Sequence, residues 1–178
     1  MKNKGKKMYL RKATIQDFKK VIELLNKSIN LLKSENIDQW QDNMPNEDTF
    51  KEDIEKQRLY VLVFDGQVVG MATIHEEIEE SYENLNSGKW INDDRYATIH
   101  RFSVDTDFSG KKFGNFLFAC LISVAVSKGF KTIKIDTHKD NLRMQYLIQK
   151  NDFKYCGNFY IDGVNDEKNF RLAYQWVI

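Results

Sequence analysis

The residues able to do chemistry gather in one stretch of this chain. An apolar run, Ile99-His100-Arg101-Phe102-Ser103-Val104, leads through residues 105–111 into Lys112-Phe113-Gly114-Asn115-Phe116-Leu117-Phe118. Gly110 and Gly114 bracket the pair Lys111 and Lys112. A helix start exposes backbone N–H groups without intrahelical partners and carries about half a unit of positive charge. Glycines let an anion approach that backbone, and the lysines add charge. This strand–loop–helix therefore suits a phosphate or pyrophosphate; an ordinary tight turn is the plainer alternative. The triphosphate signature GxxxxGK[ST] is absent, and only two glycines of a GxGxxG dinucleotide fingerprint are present. Asp136 stands roughly where a ribose-binding acid would stand. A dinucleotide fold would usually begin with this unit, however, and here nearly a hundred residues precede it.

Proton carriers lie close by. His100 and Arg101 share the apolar strand, and His138 follows Asp136-Thr137. A histidine titrates near neutral pH and can move protons, although a lone one often serves only as a structural hydrogen-bonder. His75, next to Glu76 and Glu77, reads as a surface residue. The three dispersed histidines show no metal-ligand spacing, so no metal is expected. Glu76, Glu77, Glu79, Glu80 and Glu83 form an acidic run that suits a cationic partner or simply a solvated face. Cys120 and Cys156 have no CxxC partner and sit in apolar runs as buried thiols.

The elements that must position these groups follow from periodicity. Residues 9–12 read as a short strand. Thr14 and Asp17 form a cap-like start to a helix whose apolar face is Phe18, Val21, Ile22, Leu25, Ile29 and Leu32. A loop over 35–45 carries Trp40, and a short helix spans 47–56. Strands at 59–64 and 67–74 flank Asp65-Gly66, a strong hairpin signal. Residues 76–95 form a long polar excursion with Tyr82, Gly88 and Trp90. A strand at 96–104 follows, then a helix at 113–128 ending at Gly129. The chain closes with a strand at 132–136, a helix capped by Asp140 and running to about 150, and strands at 154–161 and 169–177. The order predicts a single α/β domain over 8–178 behind a disordered basic tail at 1–7: a mixed, twisted sheet of about seven strands with about four helices.

Composition narrows the classes. The 178 residues carry 27 Lys+Arg and 26 Asp+Glu, a net charge of +1, with 9 Gly, 1 Pro and 42% hydrophobic residues. Collagen, low complexity and wholesale disorder are excluded, and a dedicated nucleic-acid binder is disfavoured. No apolar run approaches the ~18 residues of a membrane span, and no secretory h-region follows the basic start. A cytoplasmic protein is expected, as a monomer or a homodimer paired through its last strand.

At this point the sequence resembles the GNAT superfamily of acetyl-CoA-dependent N-acetyltransferases over nearly the whole chain. The resemblance rests on the element order, on Leu10-Arg11-Lys12-Ala13-Thr14-x-x-Asp17, on Val69-Gly70 and on two motifs. The family pattern Arg/Gln-x-x-Gly-x-Gly/Ala aligns with Ser109-Gly110-Lys111-Lys112-Phe113-Gly114. The pattern Asn-x-x-Ala-x-x-Leu-Tyr-x-x-x-Gly-Phe aligns with the segment from Asn141 through Met144, Leu147, Ile148 and Asp152 to Phe153. Ser109 and Lys112 depart from the first pattern. Ile148 departs from the second, at the tyrosine that in many members protonates the leaving thiolate. Tyr146 should face away from that position, because two residues turn a helix by roughly 200°. The pair His100-Arg101 with Asp136-Thr137-His138-x-x-Asn141-x-x-Met144 resembles a bacterial subgroup of undefined substrate.

The resemblance implies an acetyl-CoA gap between the strands at 96–104 and 132–136. It implies contacts from the backbone of Phe102, Ser103 and Val104, from the loop Gly110, Lys111, Lys112, Phe113, Gly114 and Asn115, and from Asn141, whose plainer role is a helix cap. His100 and His138 become the catalytic candidates, and Trp40, Tyr82 and Trp90 the wall of the acceptor pocket. The implied reaction is acetyl transfer to a primary amine of a small molecule or peptide by direct attack in a ternary complex. A non-catalytic acyl-CoA-binding domain of the same fold is the alternative.

Overall fold

The computed structural model describes residues 5–163 and 165–178. Most of the expected basic tail, residues 1–4, lies outside the described residues. Lys7 already joins the fold, its carbonyl accepting the Asp65 N–H at 2.8 Å. The elements are β1 (Met8–Lys12), α1 (Phe18–Ser34), α2 (Glu47–Glu55), β2 (Leu59–Phe64), β3 (Gln67–His75), β4 (Ser87–Gly88), β5 (Tyr96–Val104), α3 (Phe113–Ser127), β6 (Thr132–His138), α4 (Leu142–Lys150), β7 (Lys154–Tyr160) and β8 (Phe170–Val177). They form one sheet in the order β1-β2-β3-β5-β6-β8-β7-β4, antiparallel throughout except where β5 meets β6. This is the mixed α/β fold expected, with one strand more.

The extra strand is β4, inside the long excursion. It pairs Ser87 with Asn158 and Gly88 with Gly157. A Cβ on either glycine would run into the backbone of the other strand. The contact depends on bare backbone, and an apolar-alternation signal does not register it.

The two faces of the sheet bury separate cores. Leu59, Val61 and Val63 of β2 turn toward Val21, Leu24, Leu25, Phe50 and Ile54 of α1 and α2. Tyr60 and Leu62 turn the other way, toward Leu117, Phe118, Leu121 and Ala125 of α3 and Ile148 of α4. The strand period of two thus serves both layers, and β2 is apolar at every position. Local signals hold at the turns. Asp65 and Gly66 have φ of 51° and 84°, the left-handed pair of a tight hairpin. The Asp17 carboxylate accepts the Thr14 N–H at 2.8 Å and grips the Arg11 guanidinium with both oxygens.

Two boundaries differ from expectation, and both shape the site. β6 continues to His138, because β8 pairs with Thr137 through Leu172 and with His138 through Arg171. The expected Asp140 cap is in fact Asn141, whose Oδ1 accepts the Met144 N–H at 3.1 Å. Asp140 instead donates its N–H to His138 Nδ1 at 3.2 Å, so the chain turns once more before the helix begins.

Candidate active site

The parallel pair β5–β6 is joined only over Tyr96–Thr98 and Thr132–Lys134. β5 then continues to Val104 and β6 to His138 without pairing to each other. The opening coincides with a bulge. Met71 pairs with Ser103 and Thr73 with His100, so Arg101 and Phe102 together oppose Ala72, and Arg101 has a φ of 52°. Such a bulge bends its strand and increases its twist. Behind it, the wholly buried Asp53 of α2 takes the Arg101 guanidinium at 3.1 Å, Arg58 Nε at 2.7 Å and the Thr73 hydroxyl at 3.1 Å.

A cavity of about 1020 Å³ occupies the opening. Residues 99–104 and 135–137 line it from the two strands, joined by the start of α3, by Met144 and Leu147 of α4, and by Gln39 and Trp40 of the α1–α2 loop. Among the described residues, four buried side-chain polar atoms have no hydrogen-bond partner: Thr98 Oγ1, His100 Nε2, Thr137 Oγ1 and His138 Nε2. All four sit on β5 or β6, around the splay. Buried polar groups in a finished fold are almost always paired, and two of these four, on His100 and Thr137, belong to residues that line the cavity.

The mouth of the cavity is the start of α3. The beginnings of α2 and α4 are closed by asparagine side chains, Asn46 onto the Thr49 N–H and Asn141 onto the Met144 N–H. No side chain caps α3. Its first helical bond runs from Phe116 N–H to Lys112, which leaves Phe113, Gly114 and Asn115 with N–H groups free of intrahelical partners. All three residues line the cavity, together with Ser109, Gly110 and Lys112. Lys112 takes φ 60° where the family pattern has glycine, a conformation that disfavours a side-chain-bearing residue by roughly 1–2 kcal/mol. Lys111 does not line the cavity; its ammonium lies 4.9 Å from the Phe108 ring. Gly114 keeps α3 close to α4, since an added Cβ would come within 2.9 Å of Leu147 Cδ2.

On the other side of the opening His100 faces the cavity. Its Nε2 is 3.4 Å from Glu79 Oε2, without the alignment of a hydrogen bond. The His100 ring beside it, together with the Ser81 hydroxyl donating at 3.0 Å, lowers the Glu79 pKa, so that group is ionised. His75, expected at the surface, is instead packed against His100 with ring centroids 4.9 Å apart. Arg101 lies 2.9 Å from His75 Nε2. A guanidinium only donates, so that nitrogen accepts and the ring is neutral. Burial pushes its pKa down in the same sense.

The remaining expected residues separate into two groups. Phe102, Ser103, Val104, Asn141 and Trp40 line the cavity. Phe102 also stacks on Phe118 at 4.5 Å, and Ser103 bonds Ser28 at 2.6 Å. Asn141 is held twice, by its cap bond and by Nδ2 donating to Gln39 Oε1 at 2.9 Å. Tyr82 and Trp90 do not line the cavity. Tyr82 is buried with Phe159, and the half-buried Trp90 packs against them, its Nε1 donating to the Tyr82 carbonyl at 2.8 Å. The Tyr82 hydroxyl reaches Asp136 at 2.6 Å, which ties up the acid considered for a ribose. His138 is also set back from the cavity lining. Pairing with β8 buries it, and burial together with Arg171 lowers its pKa. Of the acidic run, Glu79 and not Glu76 or Glu77 lines the cavity. Glu76 pairs with Lys128, and Glu77 approaches Arg58.

Ile148 is fully buried in the core, while Tyr146, two residues earlier, lines the cavity mouth at 64% exposure. The roughly opposite facing of these two positions is as helix geometry requires. Thr137, Arg171 and Asp136 also line the cavity. Asp136 is the acid considered above for a ribose; Thr137 and Arg171 are not among the expected site residues, though strand alternation continued through 138 puts Thr137 on the face of Ile133 and Ile135. Among the described residues no group of His, Cys, Asp and Glu is placed to hold a metal ion, and no helix is long and apolar enough to cross a membrane.

Residues 25–153 match the acetyltransferase (GNAT) family profile. A GNAT-family acetyltransferase from Streptococcus agalactiae superposes with a TM-score of 0.87 at 27% identity, covering 96% of this chain and 95% of that one. A putative acetyltransferase from Staphylococcus aureus gives 0.69 at 24% identity, over 94% and 97%. A putative acetyltransferase from Salmonella typhimurium, solved with its cofactor acetyl-CoA, gives 0.68 at 18% identity, over 96% and 93%. No curated protein sequence matches the chain significantly.

Proposed function

The chain belongs to the GNAT acetyltransferase family and is thus an acyltransferase; from that premise we propose that it moves an acetyl group from acetyl-CoA to a primary amine of a small molecule or peptide by direct attack in a ternary complex. The observation that carries this reading is the splay of β5 from β6, flanked by every unpartnered buried polar side-chain atom found among the described residues. The residues present fit acetyl-CoA. The uncapped start of α3, with Gly110 and Lys112, would take the pyrophosphate through backbone N–H groups and one ammonium. The unpaired edge of β5 at Phe102, Ser103 and Val104 offers amide groups to a pantetheine arm. Met144 and Leu147 supply apolar walls for it.

On the acceptor side, the ionised Glu79 attracts an ammonium, and His100 takes the proton that the amine must lose to become a nucleophile. The Arg101 bulge, braced by Asp53, turns β5 backbone toward the thioester carbonyl, where an N–H stabilises charge developing on oxygen. Positioning supplies much of the remaining acceleration. Trp40 closes the acceptor side. Tyr82 and Trp90 support Asp136 from behind rather than touching the acceptor.

Ile148 favours one rival, a domain that binds acyl-CoA without turning it over. A panel of amines, polyamines and peptides with thiol detection separates the two. Acetyl-CoA should raise the melting temperature, NAD should not, and thiol should appear with at least one amine. Stabilisation without thiol release across the panel would favour the binding domain, and stabilisation by NAD alone would sink both. His100→Ala should lower turnover about 10²-fold or more while CoA affinity stays within a few-fold.

A further inference from the structure

With Ile148 sealed in the core, the leaving sulfur lacks the phenol that the family pattern supplies. Tyr146 does line the cavity, but at its exposed mouth, where its hydroxyl lies 3.4 Å from Lys150 Nζ. We propose that the Thr137 hydroxyl donates a hydrogen bond to the sulfur of the acetyl thioester as the carbon–sulfur bond breaks. This inference rests on the acetyl-CoA reading above.

Three observations lead to Thr137. Its side chain is fully buried, and its Oγ1 has no partner, although it lines the cavity. Its depth along the gap also matches the bulge. The last joined pair of β5 and β6 is Thr98 with Lys134. Three residues further on, β5 has reached Arg101, the residue at φ 52°, and β6 has reached Thr137. A thioester whose carbonyl meets the bulge on one strand therefore presents its sulfur side toward the hydroxyl on the other. Finally, the hydroxyl is held ready. β8 pairs with Thr137 through Leu172, and threonine has a stiff χ1, so little freedom is lost when the bond forms.

The step balances without a new reactant. The amine lone pair forms the nitrogen–carbon bond, the carbon–sulfur bond breaks, and its electron pair leaves on sulfur. Thr137 shares its proton with the thiolate but keeps it, because an alcohol is far too weak an acid to give it up. His100 holds the proton that the ammonium gives up to become a nucleophile; the second proton, shed by nitrogen as the amide forms, passes through water to the departing thiolate. Hydrogen bonds to a charged acceptor are about twice as strong as neutral ones, so the interaction strengthens as the thiolate forms. Such differential binding accelerates the step.

Thr98 provides the internal control. It is equally buried and equally unpartnered, but it does not line the cavity.

The test uses coenzyme A as the probe and needs no acceptor. Thr137→Val keeps the side-chain shape and removes only the hydroxyl. In the complex with coenzyme A, the ultraviolet absorbance of the bound thiolate is titrated against pH. In Thr137→Val the bound thiol should titrate about one to two units higher than in the wild type, with affinity for coenzyme A at low pH within about twofold. Thr137→Ser should restore the wild-type value, and Thr98→Val should leave it unchanged. The free protein carrying Thr137→Val should melt no lower than the wild type, since the lost hydroxyl had no partner. A bound thiol that titrates alike in wild type and Thr137→Val overturns the proposal while leaving acetyl-CoA binding intact. So does an affinity loss above about tenfold with an unchanged thiol titration, which would make Thr137 an anchor for the pantetheine arm. A wild-type protein that fails to bind coenzyme A removes the acetyl-CoA reading and this inference with it.

Discussion

The two sides of β5 treat buried polar groups in opposite ways. Behind the strand, toward α1 and α2, each such group is matched: Asp53 holds Arg58, Thr73 and Arg101; Asp105 holds Lys20 and Lys27; Ser103 bonds Ser28. In the gap toward β6, the Thr137 hydroxyl and His100 Nε2, both on residues that line the cavity, stand without hydrogen-bond partners. The matched side is a brace, in which polar groups serve stability. The unmatched side is poised, with bonding left open for a partner that is not part of the chain. Removing a polar group should therefore lower stability on the first side, and on the second side lower ligand affinity or turnover instead.

The largest effect should come from the brace. Asp53→Ala leaves two guanidinium groups without their shared carboxylate and should lower unfolding free energy by about 3–5 kcal/mol, measured by urea denaturation. A loss below about 1 kcal/mol would break the contrast. A smaller effect should appear in acid at Asp17, which the Arg11 bonds hold down at about 2. Its folded value lies below its unfolded one, so its contribution is complete above about 4 and fades as pH falls toward 2. Asp17→Asn should lower stability at pH 7 by about 1–2 kcal/mol, discounted for the partly exposed guanidinium, and should flatten the decline below pH 4. The smallest effect has the opposite sign. Lys112→Gly relieves a left-handed residue and should raise stability by about 1 kcal/mol, while removing the ammonium should weaken coenzyme A binding several-fold. Calorimetry on the same sample reads both. A variant that is both less stable and unchanged in affinity would move Lys112 to the braced side.

Much of this was legible in the sequence where the signal is local. The Asp65-Gly66 hairpin, the α1 stripe, the Gly129 stop and the loop at Gly110–Gly114 each depend on a few neighbouring residues. The misplacements share one cause. Tyr82 and Trp90 are aromatic residues on a polar excursion and look like a pocket wall. Their burial is decided by Phe159 and Ala173, more than sixty residues later. His138 looks like a loop proton carrier until β8 pairs with it. Among five glutamates in one run, only contact with His100 singles out Glu79 as the cavity carboxylate beside an imidazole.

By itself, then, the sequence determined the element order, the glycine and lysine loop at the head of an apolar helix, and the family resemblance, because these depend on backbone preference and on patterns a few residues wide. The tertiary structure decided which groups are left without partners. An orphaned hydroxyl at Thr137, an uncapped helix and a strand edge without a neighbour are properties of what fails to arrive from elsewhere in the chain. They arise where the strand pairing of β5 and β6 stops, a boundary set by packing against α2 and β8.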